Sequence, residues 1–174
     1  MSGVRLREWR ASDADRVALM LDDPELLKWS HLAQLGPAAW IDEQRGGRRG
    51  PSFAVCESGD ERAVGKVALR LPGQASAATL VAALEPRDRP AGEVSYWVTP
   101  DARGRGIATA AVRAVLEVAR GLDAMRSVVL DIEVDNLPSL RIAQRVGAAR
   151  REPPRVEPDR RGVARTLAVH VLTL

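Results

Sequence analysis

The sequence predicts a mixed α/β or α+β domain, and three observations predict it. Apolar residues alternate with a period of two in several short runs. At Gly106 the period lengthens to about 3.6. The resulting order is strand, helices, strands, helix, strand, helix, strand, in three layers or fewer. At 174 residues a single domain spanning 1–174 is expected, and that length buries a core without staples. No internal repeat is present.

Val4 to Trp9 reads as a short strand, with Val4, Leu6 and Glu8 alternating against Arg5 and Arg7. Ser12 has the character of an N-cap, followed by Asp13 and Asp15 in the first turn of a helix that carries Val17, Leu19, Met20 and Leu21. Pro24 starts another short helical piece, and Pro37 suits the first position of a helix holding Trp40 and Ile41. The run GGRRGP at 46–51 is a loop. Phe53–Cys56 and Ala63–Leu71 are two strands joined at Ser58-Gly59-Asp60. Residues 72–92, rich in Ala, Pro and Gly, are a long connection or insertion.

Glu93 to Val98 is a strand. After Gly106 the stripe Ile107, Ala110, Ala111, Ala114, Val115, Val118, Ala119 and Leu122 makes a helix. Ser127 to Val134 alternates as a strand. Pro138 opens a second helix, with Leu140, Ala143 and Val146 inward and Gly147 closing it. PPRVEP is loop, and Arg165 to Leu172 is a last strand.

Composition removes several function classes. Cys56 is the single cysteine, so a disulfide framework and a Cys-based zinc site are excluded, and no metal is expected. No apolar run follows Met1 or reaches the ~18 residues of a membrane span. A cytoplasmic protein without a membrane partner is the expectation. Net charge is +3, and Lys28 and Lys66 are the only lysines. The arginines alternate with acids and apolar residues, and aromatics are few, so direct nucleic-acid binding is disfavoured.

The stretch TPDARGRGIATAA is a strand end, a glycine-containing loop and a helix start. Unpaired N–H groups at a helix start bind phosphate when side chains do not obstruct them. Gly104 and Gly106 remove those side chains, Arg103 and Arg105 add charge, and Thr109 adds a hydroxyl. No acid lies between Asp101 and Glu117. The loop lacks the Lys-Ser/Thr of a P-loop and the G-x-G-x-x-G spacing of a dinucleotide site. A tight strand–helix turn with solvated arginines fits these residues as well.

EVSYWVTPDARGRGIATAA closely resembles the acetyl-CoA-binding segment of the GNAT acetyltransferase superfamily, with Arg103, Gly106 and Ala108 filling its Arg/Gln-x-x-Gly-x-Gly/Ala pattern. DNLPSLRIAQRVGA is similar to the ribosomal-protein N-acetyltransferase branch (RimJ/RimL-like), through Asn136, Ser139 and Gly147. The specific likeness covers about 93–150; Ala148 replaces the usual aromatic after the closing glycine.

The resemblance implies a strongly twisted mixed sheet of six to seven strands, flanked by about four helices and splayed between strands 4 and 5. It implies acetyl-CoA as co-substrate. Pantetheine would pair with the strand at Trp97 and Val98. The pyrophosphate would rest on Arg103, Gly104, Arg105, Gly106, Ile107, Ala108 and Thr109. The adenine end would lie near Asn136 and Arg141 to Arg145.

Acetyl transfer needs a neutral amine, a polarised carbonyl and a stabilised thiolate. An α-amine near pKa 8 is about 10 % neutral at pH 7, against about 0.04 % for a lysine, a gap of roughly 3 kcal/mol. An α-amino acceptor therefore needs only weak help from a base. Glu93 is the first base candidate, on one strand face with Ser95 and Trp97; a cross-strand ion pair with an arginine is the competing reading. Glu157 and His170 are weaker candidates, as a loop acid and a strand residue. No tyrosine follows Asn136, so Ser139 is the candidate hydrogen-bond donor to the CoA sulfur; bonding the backbone in its helix's first turn is its other reading. The carbonyl would be polarised by an N–H near Trp97 or Val98. Trp9, Trp29 and Trp40 belong either to an acceptor pocket or to the core, and Cys56 to buried packing.

Three functions follow. The first is an N-acetyltransferase acting on a primary amine, an N-terminal α-amine or a small molecule. The second is a CoA-binding sensor with little turnover. The third is a basic protein meeting RNA or the ribosome. The last strand offers an edge for a homodimer.

Overall fold

The computed structural model describes residues 3–29, 35–74, 84–123, 125–158 and 162–174. Five α-helices and eight strands lie among them. They group into two compact units: the described residues of Met1–Leu69 with Ser95–Val115, and those of Arg70–Val94 with Leu116–Leu174.

In the first unit β1 (Val4–Arg7) pairs antiparallel with β2 (Ser52–Glu57), and β2 with β3 (Ala63–Arg70). The next strand, β4 (Ala91–Val98), lies beside β3. β3 and β4 approach so closely at Gly65 that a Cβ there would sit 2.5 Å from the Trp97 carbonyl oxygen. Only glycine fits without moving backbone. The helices of this unit are α1 (Ala14–Leu21), α2 (Pro24–Trp29) and α3 (Pro37–Arg45). Pro37 takes the first position of α3, as expected.

These helices bury Val17, Met20, Leu26, Trp40 and Ile41 with Trp9, Ala54 and Ala63. Trp9, Trp40 and Trp97 form an aromatic trio, with Trp9 and Trp40 edge to face at 4.9 Å. Trp9 and Trp40 are therefore core. Trp29 is half-buried and bonds Glu25 instead.

β1 ends two residues early, at Arg7. Ser12 does not cap α1. A single 3-10 turn, Ala11–Asp13, precedes the helix, because the Asp13 carboxylate accepts from the Arg10 backbone N–H (2.9 Å) and from both terminal nitrogens of Arg7 (2.8 and 2.7 Å). Burial pushes the Asp13 carboxyl up, but Arg7 outweighs it and holds it below the ordinary carboxylate range.

In the second unit β5 (Ser127–Glu133) pairs parallel with the start of β4, over Ala91–Ser127, Gly92–Val128 and Glu93–Val129. β8 (Ala164–Thr173) pairs antiparallel with β5 over seven residue pairs. The other edge of β8 carries β6 (Ala149–Arg150) and β7 (Arg155–Pro158). The expected dimer edge on the last strand is thus already occupied. PPRVEP is not all loop: β8 is long enough to extend beyond β6 and recruit 155–158 into the sheet. α5 (Leu137–Val146) starts one residue before Pro138 and closes at Gly147, whose φ of 84° is left-handed. Leu84, Val129, Val169 and Val171 form a core with Ala91 packed against it.

α4 (Ile107–Arg120) contributes its first part to the first unit and its end to the second. Its buried residues are Ile107, Thr109, Ala111, Val112, Val115, Leu116 and Ala119. The expected stripe is rotated toward Val112 and Leu116, because the larger side chains take the interior and leave Ala110, Ala114 and Val118 half-buried. The 72–92 connection is shorter than expected, since β4 begins at Ala91 and Pro86–Asp88 is a 3-10 turn. Its residues 75–83 lie outside the described residues.

Candidate active site

The first unit holds the whole Arg-Gly-Arg-Gly loop. β4 ends at Val98, and Thr99 ties the exit to β3 through its N–H and hydroxyl, both donating to the Val64 carbonyl at 2.9 and 3.1 Å. Pro100–Ala102 makes one 3-10 turn with Ala102 buried. Gly104 and Gly106 then adopt left-handed φ of 73° and 79°, a conformation that costs a side-chain-bearing residue roughly 1–2 kcal/mol. A Cβ on either would meet nothing within 4 Å. Backbone conformation and not crowding demands these glycines, and the space before them is open.

Gly106 is also the residue before α4, where a capping side chain would sit. It has none. The first backbone bond of the helix runs from Ala110 N–H to Gly106 C=O (3.0 Å), so the preceding amides have no intrahelical acceptor. Their partial positive charge faces exposed loop residues, Arg103 to Gly106. Orphan amides, open space and absent side chains are what a pyrophosphate requires.

The charged side chains of the loop are engaged elsewhere. Arg103 is ion-paired with Asp23 and Arg105 with Glu57. Asp101 receives Arg16 at 3.2 and 3.3 Å, and Arg16 also reaches Thr99 Oγ1 (3.2 Å) and the Ala63 carbonyl (2.9 Å). The Thr99 hydroxyl and Arg16 hold the Asp101 carboxyl below the usual range. Thr109 is buried. Sequence reasoning missed Asp23 and Glu57. Asp23 was visible as the acid before Pro24 at a helix start, but nothing in the spacing linked it to Arg103.

In the second unit Asn136 is the N-cap of α5. Its Oδ1 accepts the Ser139 N–H at 3.2 Å. Ser139 occupies the first turn and is half-buried, while Arg141 and Arg145 are exposed on the helix. The Asn–Ser pair is thus a capping unit, whatever else it does.

The acids of this unit are mostly paired. Glu93 accepts from Arg70 across β3 and β4 at 3.4 Å, the cross-strand pair foreseen as its competing reading. Glu157 lies on β7, not in a loop, and pairs with Arg155, which also binds Asp131 of β5. Burial pushes the Asp131 carboxyl up, assisted by the nearby charges of Glu93 and Glu157, while Arg155 opposes this. His170 is buried on β8 with Nδ1 3.1 Å from the Ala168 carbonyl, and burial lowers its pKa. Cys56 is buried and burial raises its pKa, which suits packing and not nucleophilic attack. A cavity of about 450 Å³ at the end of β1 is lined by Arg7, Glu8, Trp9, Arg10, Ala11 and Arg45. Its Arg7 and Arg10 are occupied by Asp13 and Glu61. Among the described residues no helix is long and apolar enough to cross a membrane, and no group of acids, His and Cys could hold a metal ion.

No curated protein matches this chain by sequence. A GNAT-family acetyltransferase from Bacillus anthracis superimposes with a TM-score of 0.77 at 14 % identity, covering 99 % of this chain and 96 % of that one. A putative ribosomal-protein-serine acetyltransferase from Vibrio cholerae gives 0.72 at 19 % identity, covering 100 % and 95 %. Mycobacterium smegmatis RimJ, solved with CoA-disulfide, gives 0.72 at 20 % identity, covering 98 % and 81 %. These likenesses show the fold. The description "Acetyltransferase (GNAT) domain" matches residues 4–149, and with β1 through the start of β6 inside that match, the chain belongs to the GNAT acetyltransferase family.

Proposed function

We propose that this GNAT acetyltransferase moves the acetyl group of acetyl-CoA to a primary amine by direct attack, and that residues 1–174 serve as one domain in doing so. The observation that carries the reading is the uncapped start of α4, where Gly104 and Gly106 leave amides facing open space. The N–H groups of Gly104 to Thr109 would hold the pyrophosphate of the co-substrate. The Ser95–Val98 half of β4 offers backbone for pantetheine, with an N–H of Trp97 or Val98 polarising the thioester carbonyl. Arg145, exposed on α5, and Asn136 would meet the nucleotide end.

The amine nitrogen forms the new C–N bond, the C–S bond breaks, and the amine proton leaves to a base while the thiolate takes a hydrogen bond. Glu93, held by Arg70, is the base on the strand, and water relays the proton to it. Ser139 donates to the leaving sulfur. An α-amine suits this equipment, because it needs only modest deprotonation at neutral pH. The names of the Vibrio and Mycobacterium neighbours, a ribosomal-protein-serine acetyltransferase and RimJ, support a protein N-terminus as acceptor. Such an acceptor places the enzyme in the cytoplasm.

The test is acetyl-CoA turnover, read as free thiol, against peptides, polyamines, aminoglycosides and amino acids. Thiol release that requires a free peptide N-terminus is expected. CoA binding with no thiol release on any amine would replace this reading with that of a CoA sensor.

A further inference from the structure

The loop carries three charged side chains, and each is bound to a different part of the first unit. Asp101 takes Arg16 of α1, Arg103 takes Asp23 between α1 and α2, and Arg105 takes Glu57 at the end of β2. The Asp23 pair is the most constrained. The Asp23 side chain is only 6 % exposed, against 37 % for Arg103. Its Oδ1 accepts the Glu25 N–H at 3.2 Å at the start of α2, and its backbone C=O accepts from Leu27. The carboxylate is therefore fixed by α2 from one side, and Arg103 meets it from the other. A guanidinium that left Asp23 for a phosphate would strand a buried carboxylate, which is costly.

We infer that Arg103, with Arg105 as a weaker second, is a positioning residue that fixes the phosphate loop to the α1–α2 corner and to β2, and that backbone amides alone read the pyrophosphate. The inference rests on the proposed reading of this loop as an acetyl-CoA cradle. It reverses the role that the motif suggests for the two arginines. They shape the loop in the free protein, so that the glycine amides already point outward when the co-substrate arrives. Phosphate recognition then carries little side-chain charge.

Calorimetric titration with CoA separates the two roles, using Arg103→Gln, Asp23→Asn and the double variant over a range of salt. A phosphate ligand and a strut predict opposite results for Asp23→Asn. The strut predicts that both single variants lose CoA affinity by a similar factor, about three- to tenfold, and that the double variant loses no more than either. It also predicts an unchanged salt dependence in Arg103→Gln. A freed arginine that binds phosphate would leave Asp23→Asn neutral or tighter, while Arg103→Gln fell further and lost salt dependence; that result overturns the inference. The exposed pair Arg105→Gln and Glu57→Gln repeats the comparison should Asp23→Asn not fold, with matched, smaller losses expected and opposite signs overturning it. Wild-type protein that fails to bind CoA would overturn the cradle itself, a result distinct from any pattern among the variants.

Discussion

Two helix starts in this molecule solve the same problem in opposite ways. α5 begins at Asn136, whose Oδ1 takes the Ser139 N–H, and Pro138 removes another donor. Its amides are satisfied from within. α4 begins after Gly106, which has no side chain, in an open left-handed turn. Its amides are left for something else. A capped helix end is a structural part; an uncapped one that the fold holds open is what we propose as the anion site. Charge near the loop does not make this difference, since Arg103 and Arg105 are both spent on carboxylates.

Gly106 is where the two helix starts differ most. Gly106→Glu places a carboxylate at the open end, and a like charge about 4 Å away costs about 4 kcal/mol at a protein surface. CoA affinity by calorimetry should fall on the order of 100- to 1000-fold. The fold should survive: the left-handed φ at this position costs a side-chain-bearing residue roughly 1–2 kcal/mol, part of which an acid at a helix N-terminus returns. Unchanged affinity would show that no phosphate rests there.

Asn136→Ala should do the reverse. Loss of the cap costs about 1 kcal/mol, a fall in thermal midpoint of about 2–4 °C. CoA affinity should change by no more than about fivefold, since one hydrogen bond nets about 1 kcal/mol at most positions. Asn136→Asp should restore stability, as either side chain can accept the Ser139 N–H. A tenfold loss of CoA affinity in Asn136→Ala with unchanged stability would make this residue a nucleotide contact first and a cap second.

Ser139→Ala should lower kcat about fivefold, the worth of one hydrogen bond of about 1 kcal/mol to the leaving sulfur. KM for acetyl-CoA should hardly move. Equal kcat in the two proteins would assign the serine to its helix alone.

The smallest effect concerns neither helix start. Burial lowers the His170 pKa below its ordinary 6.5. Between the two values the unfolded chain binds the extra proton, so this contribution to stability is full above pH 6.5 and is lost as pH falls below it. Thermal midpoints from pH 7.5 to 5 should show that decline, and His170→Gln should remove part of it. A variant with the wild-type slope would assign the decline to other groups.

Much of this was legible in the sequence, for definite reasons. The loop showed itself because glycines demanded by positive φ leave a mark no other residue can make; Asn136 stood out only by resemblance, and its role as a cap went unread. Pro37 and Gly147 marked helix ends through backbone demands of the same local kind. Long-range pairing stayed hidden. Nothing in the spacing joins Arg103 to Asp23, eighty positions away, or Arg155 to Asp131 across β7, β8 and β5. Asp13 was read as a helix-start acid, and Arg7, six residues earlier, claimed it. β7 was missed because Pro153, Pro154 and Pro158 mask a strand whose existence depends on the length of β8. Local backbone demands write themselves into sequence; ion pairs chosen by tertiary packing do not.

We propose that the open start of α4 holds the pyrophosphate of acetyl-CoA. Calorimetric titration of the wild-type protein with CoA and, separately, with pantetheine tests it most directly, because the two ligands share the thiol arm and CoA adds the pyrophosphate with its 3′-phosphoadenosine. CoA should bind at least about a hundredfold more tightly, the gap expected for several charge-assisted bonds to backbone amides. Equal affinity for pantetheine and CoA would contradict the claim.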